Sequence, residues 1–249
     1  MPMKILLELT YNGAGFAGYQ VQPGKVTVQS AVQDAIETVY GERYPVKGCS
    51  RTDAGVHALQ YFATFETEKS IPLDRLPMAL NAAMDSRIAV LSARLVNDDF
   101  HVRHDVEYKE YEYLIHASAV PDPFKVGRVW HFPKKLCEDY IARMRSASEA
   151  FVGKHNFSGF MSVGSSVADT VRTVKYLEII EENELIRIRI AADGFLYNMV
   201  RIIVGTLIEV AAGRIEPDDM ADIIASCDRS RAGMTAPPEG LYLRRVEFL

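Results

Sequence analysis

Gly48-Cys49-Ser50-Arg51-Thr52-Asp53-Ala54-Gly55-Val56-His57-Ala58 is a polar run set between two apolar ones. Tyr44-Pro45-Val46 ahead of it reads as a short strand. Gln60-Tyr61-Phe62-Ala63-Thr64-Phe65-Glu66 behind it has the aromatic and β-branched content of another. The run is therefore a connection between strands. A solvated connection needs no particular charge, yet this one places Arg51, Asp53 and His57 within seven positions and turns at Gly55. A cation, a carboxylate and a tight turn together suit a site. They also suit a plain turn in which Asp53 caps local amides and Arg51 is its surface counter-ion.

Working outward, residues 4–11 alternate as a strand and lead into Asn12-Gly13-Ala14-Gly15-Phe16-Ala17-Gly18, which spells G-x-G-x-x-G. A dinucleotide site needs the last Gly to open a helix, whereas Gln22-Pro23-Gly24 intervenes here and the next helix begins near Thr27. The glycines instead let a long loop fold close to something else. In that helix Val28, Val32, Ala35, Ile36 and Val39 form one apolar stripe, with Thr27 as N-cap. Leu73, Leu76 and Leu80 suggest a second helix and residues 87–96 a strand, so the first half reads β-α-β-β-α-β.

A similar series follows. Residues 107–116 read as a strand, 135–150 as a helix with Leu136, Tyr140 and Met144 on one face, and 171–180 and 185–192 as strands. A long helix at 196–211, a shorter one after Pro217 and a strand at 241–248 complete it. The fold class expected is α+β, two tandem split β-α-β (ferredoxin- or RRM-like) units, divided into domains 1–106 and 107–249.

The 249 residues, 48% of them hydrophobic, can bury a sizeable core. No apolar stretch is long enough for a membrane span and the amino-terminal residues show no signal-peptide pattern, so a cytoplasmic protein is expected. Cys49, Cys137 and Cys227 are too scattered for a disulfide framework or a C-x-x-C metal site. The net charge of -5 argues against a purely electrostatic nucleic-acid binder, so RNA binding needs a local patch. Candidates are Lys134-Lys135 with Arg143 and Arg145, Arg172 with Lys175, Arg187 with Arg189, and Arg244-Arg245.

The run Ser50-Arg51-Thr52-Asp53-Ala54-Gly55-Val56-His57-Ala58 resembles the signature of the TruA family of tRNA pseudouridine synthases. Gly18-Tyr19-Gln20-Val21-Gln22, Asp99-Phe100-His101-Val102-Arg103, Lys109-Glu110-Tyr111-Glu112-Tyr113, Met199-Val200-Arg201-Ile202-Ile203-Val204-Gly205 and Gly240-Leu241-Tyr242-Leu243 follow in the family's order. The resemblance covers nearly the whole chain. It implies two halves with joined sheets around a central active-site cleft, and isomerisation of uridine at positions 38, 39 and/or 40 of the tRNA anticodon stem-loop. It also implies a homodimer spanned by the tRNA, and no cofactor.

By the same resemblance Asp53 is the catalytic carboxylate, Tyr111 stacks on the uracil and Arg51 helps to displace the target nucleotide from its stack. By spacing alone Tyr111 and Tyr113 read as structural, since both point to one face of a strand. Arg201 stands out without help. It lies in the apolar run Phe195-Leu196-Tyr197-Asn198-Met199-Val200-Arg201-Ile202-Ile203-Val204-Gly205, where a buried guanidinium demands a partner; the resemblance nominates Asp53, and a structural ion pair with some other acid is the alternative. The place of His57 suits a satisfied structural imidazole more than a general base, and Cys49 a small buried side chain.

Two other classes compete. A non-catalytic RNA-binding module can be built from tandem split β-α-β units with surface aromatics. A hydrolase would use Asp53 or Cys49 as nucleophile, but no oxyanion-hole or metal signature accompanies them.

Overall fold

The computed structural model describes residues 2–164 and 167–249. The chain forms two compact units, Met1–Glu107 with Tyr242–Leu249, and Tyr108–Leu241. Each holds a mostly antiparallel sheet with helices, so the protein is of the mixed α+β class.

The first unit runs β1 (Met3–Tyr11), α1 (Val28–Tyr40), β2 (Lys47–Gly48), β3 (His57–Thr67), α2 (Leu76–Ala83) and β4 (Ile88–Val96), the order the alternation implies. Strand β1 is central. It pairs antiparallel with β3, from Met3 opposite Thr67 to Leu9 opposite Tyr61, and with β4, from Lys4 opposite Val96 to Tyr11 opposite Ile88. Ile5, Leu6, Leu7 and Leu9 are accordingly buried. Helix α1 starts where Thr27 and Ser30 cap one another reciprocally, each side-chain oxygen accepting the other's amide at 3.1 Å. It ends at Gly41 in the left-handed region, φ 72°. Val28, Val32, Ala35 and Ile36 are its buried stripe, with Tyr40 buried and Val39 only half-buried. The short strand falls at Lys47–Gly48 rather than at 44–46, because Pro45 has no N–H to give a ladder.

The second unit contains β5 (Val106–His116), β6 (Trp130–His131), α3 (Tyr140–Glu149), β7 (Gly153–Asn156), β8 (Val171–Glu182), β9 (Leu185–Ala192), α4 (Met199–Ala211) and α5 (Met220–Ser226). The order β5-β9-β8-β7 is antiparallel throughout, and β6 lies parallel to β5. Helix α4 is buried nearly all round, as its apolar sequence implies. It begins at Met199 rather than 196 because Asn198 is left-handed, φ 62°.

Strand β10 (Leu241–Phe248) returns to the first unit, which a linear division at 106/107 does not provide for. It runs parallel to β3, Tyr242 opposite His57 and Leu243 opposite Ala58, on the same β3 edge that carries β2 further along. The ring of Phe248 packs between Phe62 and Phe100, with centroids 5.1 and 5.2 Å away.

Candidate active site

The polar run leaves β2 and enters β3 with most of its backbone fixed. The Cys49 amide donates to the Phe62 carbonyl at 2.9 Å, and the Val56 amide donates to the Asp53 carbonyl at 3.2 Å across a turn whose Gly55 has φ 80°. Buried tyrosines hold the interior. The Tyr61 hydroxyl donates to the Ser50 carbonyl and accepts the Ser50 amide, and the Tyr11 hydroxyl is 2.8 Å from Oγ1 of Thr52. Burial foremost, then the neighbouring Tyr19 phenol, pushes the Tyr61 phenol well above its usual range, so it stays a proton donor.

The glycine-rich loop closes over this run. A side chain on Gly13 would put Cβ 1.9 Å from the Val56 carbonyl oxygen. Gly18, with φ 89°, would put one 2.8 Å from the Thr52 oxygen and 3.2 Å from the Asp53 carbonyl carbon. These glycines permit backbone to meet backbone, the close approach that the glycine-rich sequence implies. The Tyr19 amide completes the seal by donating to Thr52 O at 3.0 Å.

Within the run, Asp53 is half-buried and Arg51 exposed. His57 is buried, stacks on Tyr242 with centroids 4.5 Å apart, and accepts the Gly13 amide at Nδ1. An imidazole used this way is structural. Cys49 is fully buried and its sulfur accepts the Phe62 amide at 3.4 Å, which suits no nucleophile that must meet a substrate. Among the described residues no group of three or more His, Cys, Asp or Glu gathers to hold a metal ion.

In the second unit, Tyr111 lies on β5 opposite Ile190 of β9, 7% exposed, edge-on to Phe195 at 5.0 Å. Tyr113 shares its face and is fully buried, its hydroxyl donating to Pro237 O at 2.6 Å. Burial and then Glu239 push that phenol up, while Arg201 pulls it down. Arg201 itself sits in the first turn of α4. Its Nε donates to Ala236 O at 2.6 Å and its Nη1 to Asn198 Oδ1 at 2.8 Å, while the Ala236 amide returns a bond to Arg201 O. The 236–237 segment thus ties Tyr113 to Arg201. On the opposite face of β5, buried Glu112 accepts Arg187 at 2.6 Å and Arg189 at 3.0 Å.

Several of the basic residues noted in the sequence are therefore paired with acids. Besides Arg187 and Arg189, Arg143 pairs with Glu216 at 2.9 Å and Arg245 with Glu247 at 2.8 Å. Arg187 and Glu112, and Arg143 and Glu216, are too far apart in sequence for spacing to reveal the pairing, whereas Arg245 and Glu247 lie two apart.

A family model described as tRNA pseudouridine synthase matches residues 10–105 and 147–249, stretches that contain Arg51, Asp53 and Arg201. Curated relatives called tRNA pseudouridine synthase A align from end to end. That of Thermoanaerobacter sp. (strain X514) is 43% identical over 245 residues, covering 98% of this chain and 99% of the relative. That of Acetivibrio thermocellus is 44% identical over 246 residues, covering 99% of each. That of Bacillus subtilis (strain 168) is 41% identical over 248 residues, again 99% of each. Agreement at this level over the whole length, including the run pinned between β2 and β3, makes the chain a member of the tRNA pseudouridine synthase A family.

Proposed function

We propose that this chain converts uridine to pseudouridine at positions 38, 39 and/or 40 of the tRNA anticodon stem-loop, with Asp53 as the catalytic carboxylate. As a member of its family it is an isomerase acting on tRNA uridine. The reaction breaks the bond from ribose to uracil N1 and joins the sugar to C5; the C5 hydrogen leaves as a proton and N1 gains one. Nothing is oxidised or added. The protein must therefore supply a positioned carboxylate, a ring to hold the base, and cations to hold the displaced nucleotide.

The observation that carries this reading is the support of residues 49–56 by Tyr11, Tyr61, Gly13 and Gly18, which presents a half-buried Asp53 on a backbone tied at several points. A solvated turn needs no such support. Tyr111, packed edge-on against Phe195, is assigned to stack on the uracil, Arg51 to draw the nucleotide out, and Arg201 to bind substrate. A homodimer accounts for an acidic chain carrying so large an anion, since two subunits can pool their basic surfaces.

The test is release of tritium from C5-labelled uridine in a transcribed tRNA. The parent should release it from transcripts with uridine at 38, 39 or 40, and Asp53→Asn should bind the same RNA and release none. Binding by the parent without release would make the chain a non-catalytic RNA-binding module.

A further inference from the structure

Lys47, Arg51, His101, Arg103 and His104 come from two stretches of the first unit and line one cavity of about 290 Å³, together with Tyr19. No Asp or Glu is among its lining residues. Lys47, Arg51 and Arg103 make no ion pair among the described residues, in a chain where acids outnumber bases by 33 to 28. The contrast with Arg187 and Arg189, both held by Glu112 in the second unit, is chemical. Here three cations are held together with no carboxylate in the lining, an arrangement that favours an anion in the cavity. Asp105 lies behind it, its carboxylate engaged by the His101 amide at 2.9 Å.

Details inside the cavity agree. Nδ1 of His101 accepts the amides of Arg103 and His104, both at 3.2 Å, which leaves Nε2–H as its donor. Its ring lies 4.1 Å from that of His104. Burial first, then His104 and Lys47, lowers the His101 pKa against the opposing pull of Asp105. Tyr19 is 3% exposed and its hydroxyl has no hydrogen-bond partner, the hydroxyl of stacked Tyr61 being engaged by Ser50. A planar cation, a point charge, imidazole N–H and a phenol are donors that suit phosphate oxygens.

We propose that this cavity seats a backbone phosphodiester of the RNA substrate, adjacent to the nucleotide being isomerised. The assignment rests on the proposed function. Arg51 lines the cavity and stands two residues from Asp53, a chain span of at most about 7 Å, comparable to the step from a ribose to a neighbouring phosphate.

Lys47 and Arg103 are exposed, so Lys47→Gln and Arg103→Gln can be made without disturbing the core. Affinity for a labelled transcribed tRNA is measured against salt concentration for the parent, both singles, the double, and the charge-conserving Arg103→Lys. The double variant should bind about tenfold or more weakly at physiological salt, and its slope of log K against log salt should be shallower by about 0.7–0.9, one phosphate contact. Arg103→Lys should keep the slope. In tritium release the loss should fall on KM, with turnover at saturating tRNA within about twofold of the parent. Inorganic phosphate at matched ionic strength should compete with tRNA on the parent and far less on the double variant. Unchanged affinity and slope in variants melting with the parent would overturn the proposal, as would phosphate binding that the substitutions abolish while tRNA binding is untouched. A parent that binds tRNA but releases no tritium would refute the catalytic reading alone, since the slopes still decide the phosphate site.

Discussion

The amide of Gly13 donates to Nδ1 of His57 at 3.0 Å, joining the glycine-rich loop to the first residue of β3. The bond requires Nδ1 to be an acceptor, so the neutral imidazole carries its proton on Nε2. His57 therefore acts as a rivet beside Asp53.

Gly13→Ala tests the backbone contact on which this rivet depends. Its Cβ would lie 1.9 Å from Val56 O, both being backbone-borne, so the loop or the run must shift. Urea denaturation should show a loss of about 2–4 kcal/mol, and tritium release should fall by about 100-fold or more, a misplacement effect. An alanine variant with parental turnover would show that the loops tolerate separation.

Tyr61→Phe removes one buried hydroxyl and strands the Ser50 carbonyl and amide it serves. The expected cost is about 1–3 kcal/mol, the penalty for unsatisfied buried polar groups, read as a lower denaturant midpoint at unchanged m-value. Turnover should fall as well because the run loses an anchor. An unmoved midpoint would mean that water replaces the hydroxyl.

For Tyr111 the two substitutions should separate. Tyr111→Phe keeps the edge-on contact with Phe195 and should keep most tRNA affinity and stability, whereas Tyr111→Ala opens a cavity costing about 3–5 kcal/mol. At a temperature where both are folded, the alanine variant should also lose turnover out of proportion to tRNA affinity. Equal turnover would make the ring purely structural.

Acid stability should register Asp85. Its carboxylate accepts the Arg87 side chain at 2.7 and 2.9 Å and the Arg87 amide at 2.9 Å, and these bonds lower its pKa from 3.8 to about 2. Arg87 in turn donates to Ala14 O and covers the Phe16 ring at 4.1 Å, bracing the glycine-rich loop. Because the folded pKa is the lower one, the contribution is complete above about pH 4 and is lost as pH falls towards 2. With both side chains about a third exposed, it is worth at most about 1 kcal/mol. Asp85→Asn should trail the parent by that amount at pH 7 and approach it at pH 2. A gap independent of pH would assign the difference to something other than the charge.

Much of the first unit was legible because its signals are local. Thr27 and Ser30 lie within one turn, and the stripe of α1 has helical spacing. The glycine-rich run could be refused as a dinucleotide motif because no helix opens at Gly18. What remained hidden depends on residues far apart in sequence. Glu112 neutralises Arg187 and Arg189 across a strand pair, and Lys47 meets Arg103 only in a folded cavity. The start of α4 escaped for another reason: Leu196 continues the apolar pattern, while the left-handed Asn198 that stops the helix carries no hydrophobic signal.

The return of β10 to the first unit sets an order of assembly. Tyr242 must be synthesised before it can stack on His57, so every residue of the second unit leaves the ribosome while the Asp53-bearing sheet still has an open stretch of β3 edge. Premature termination a few residues upstream of Tyr242 would leave the second unit's elements intact and deprive the first of its closing strand.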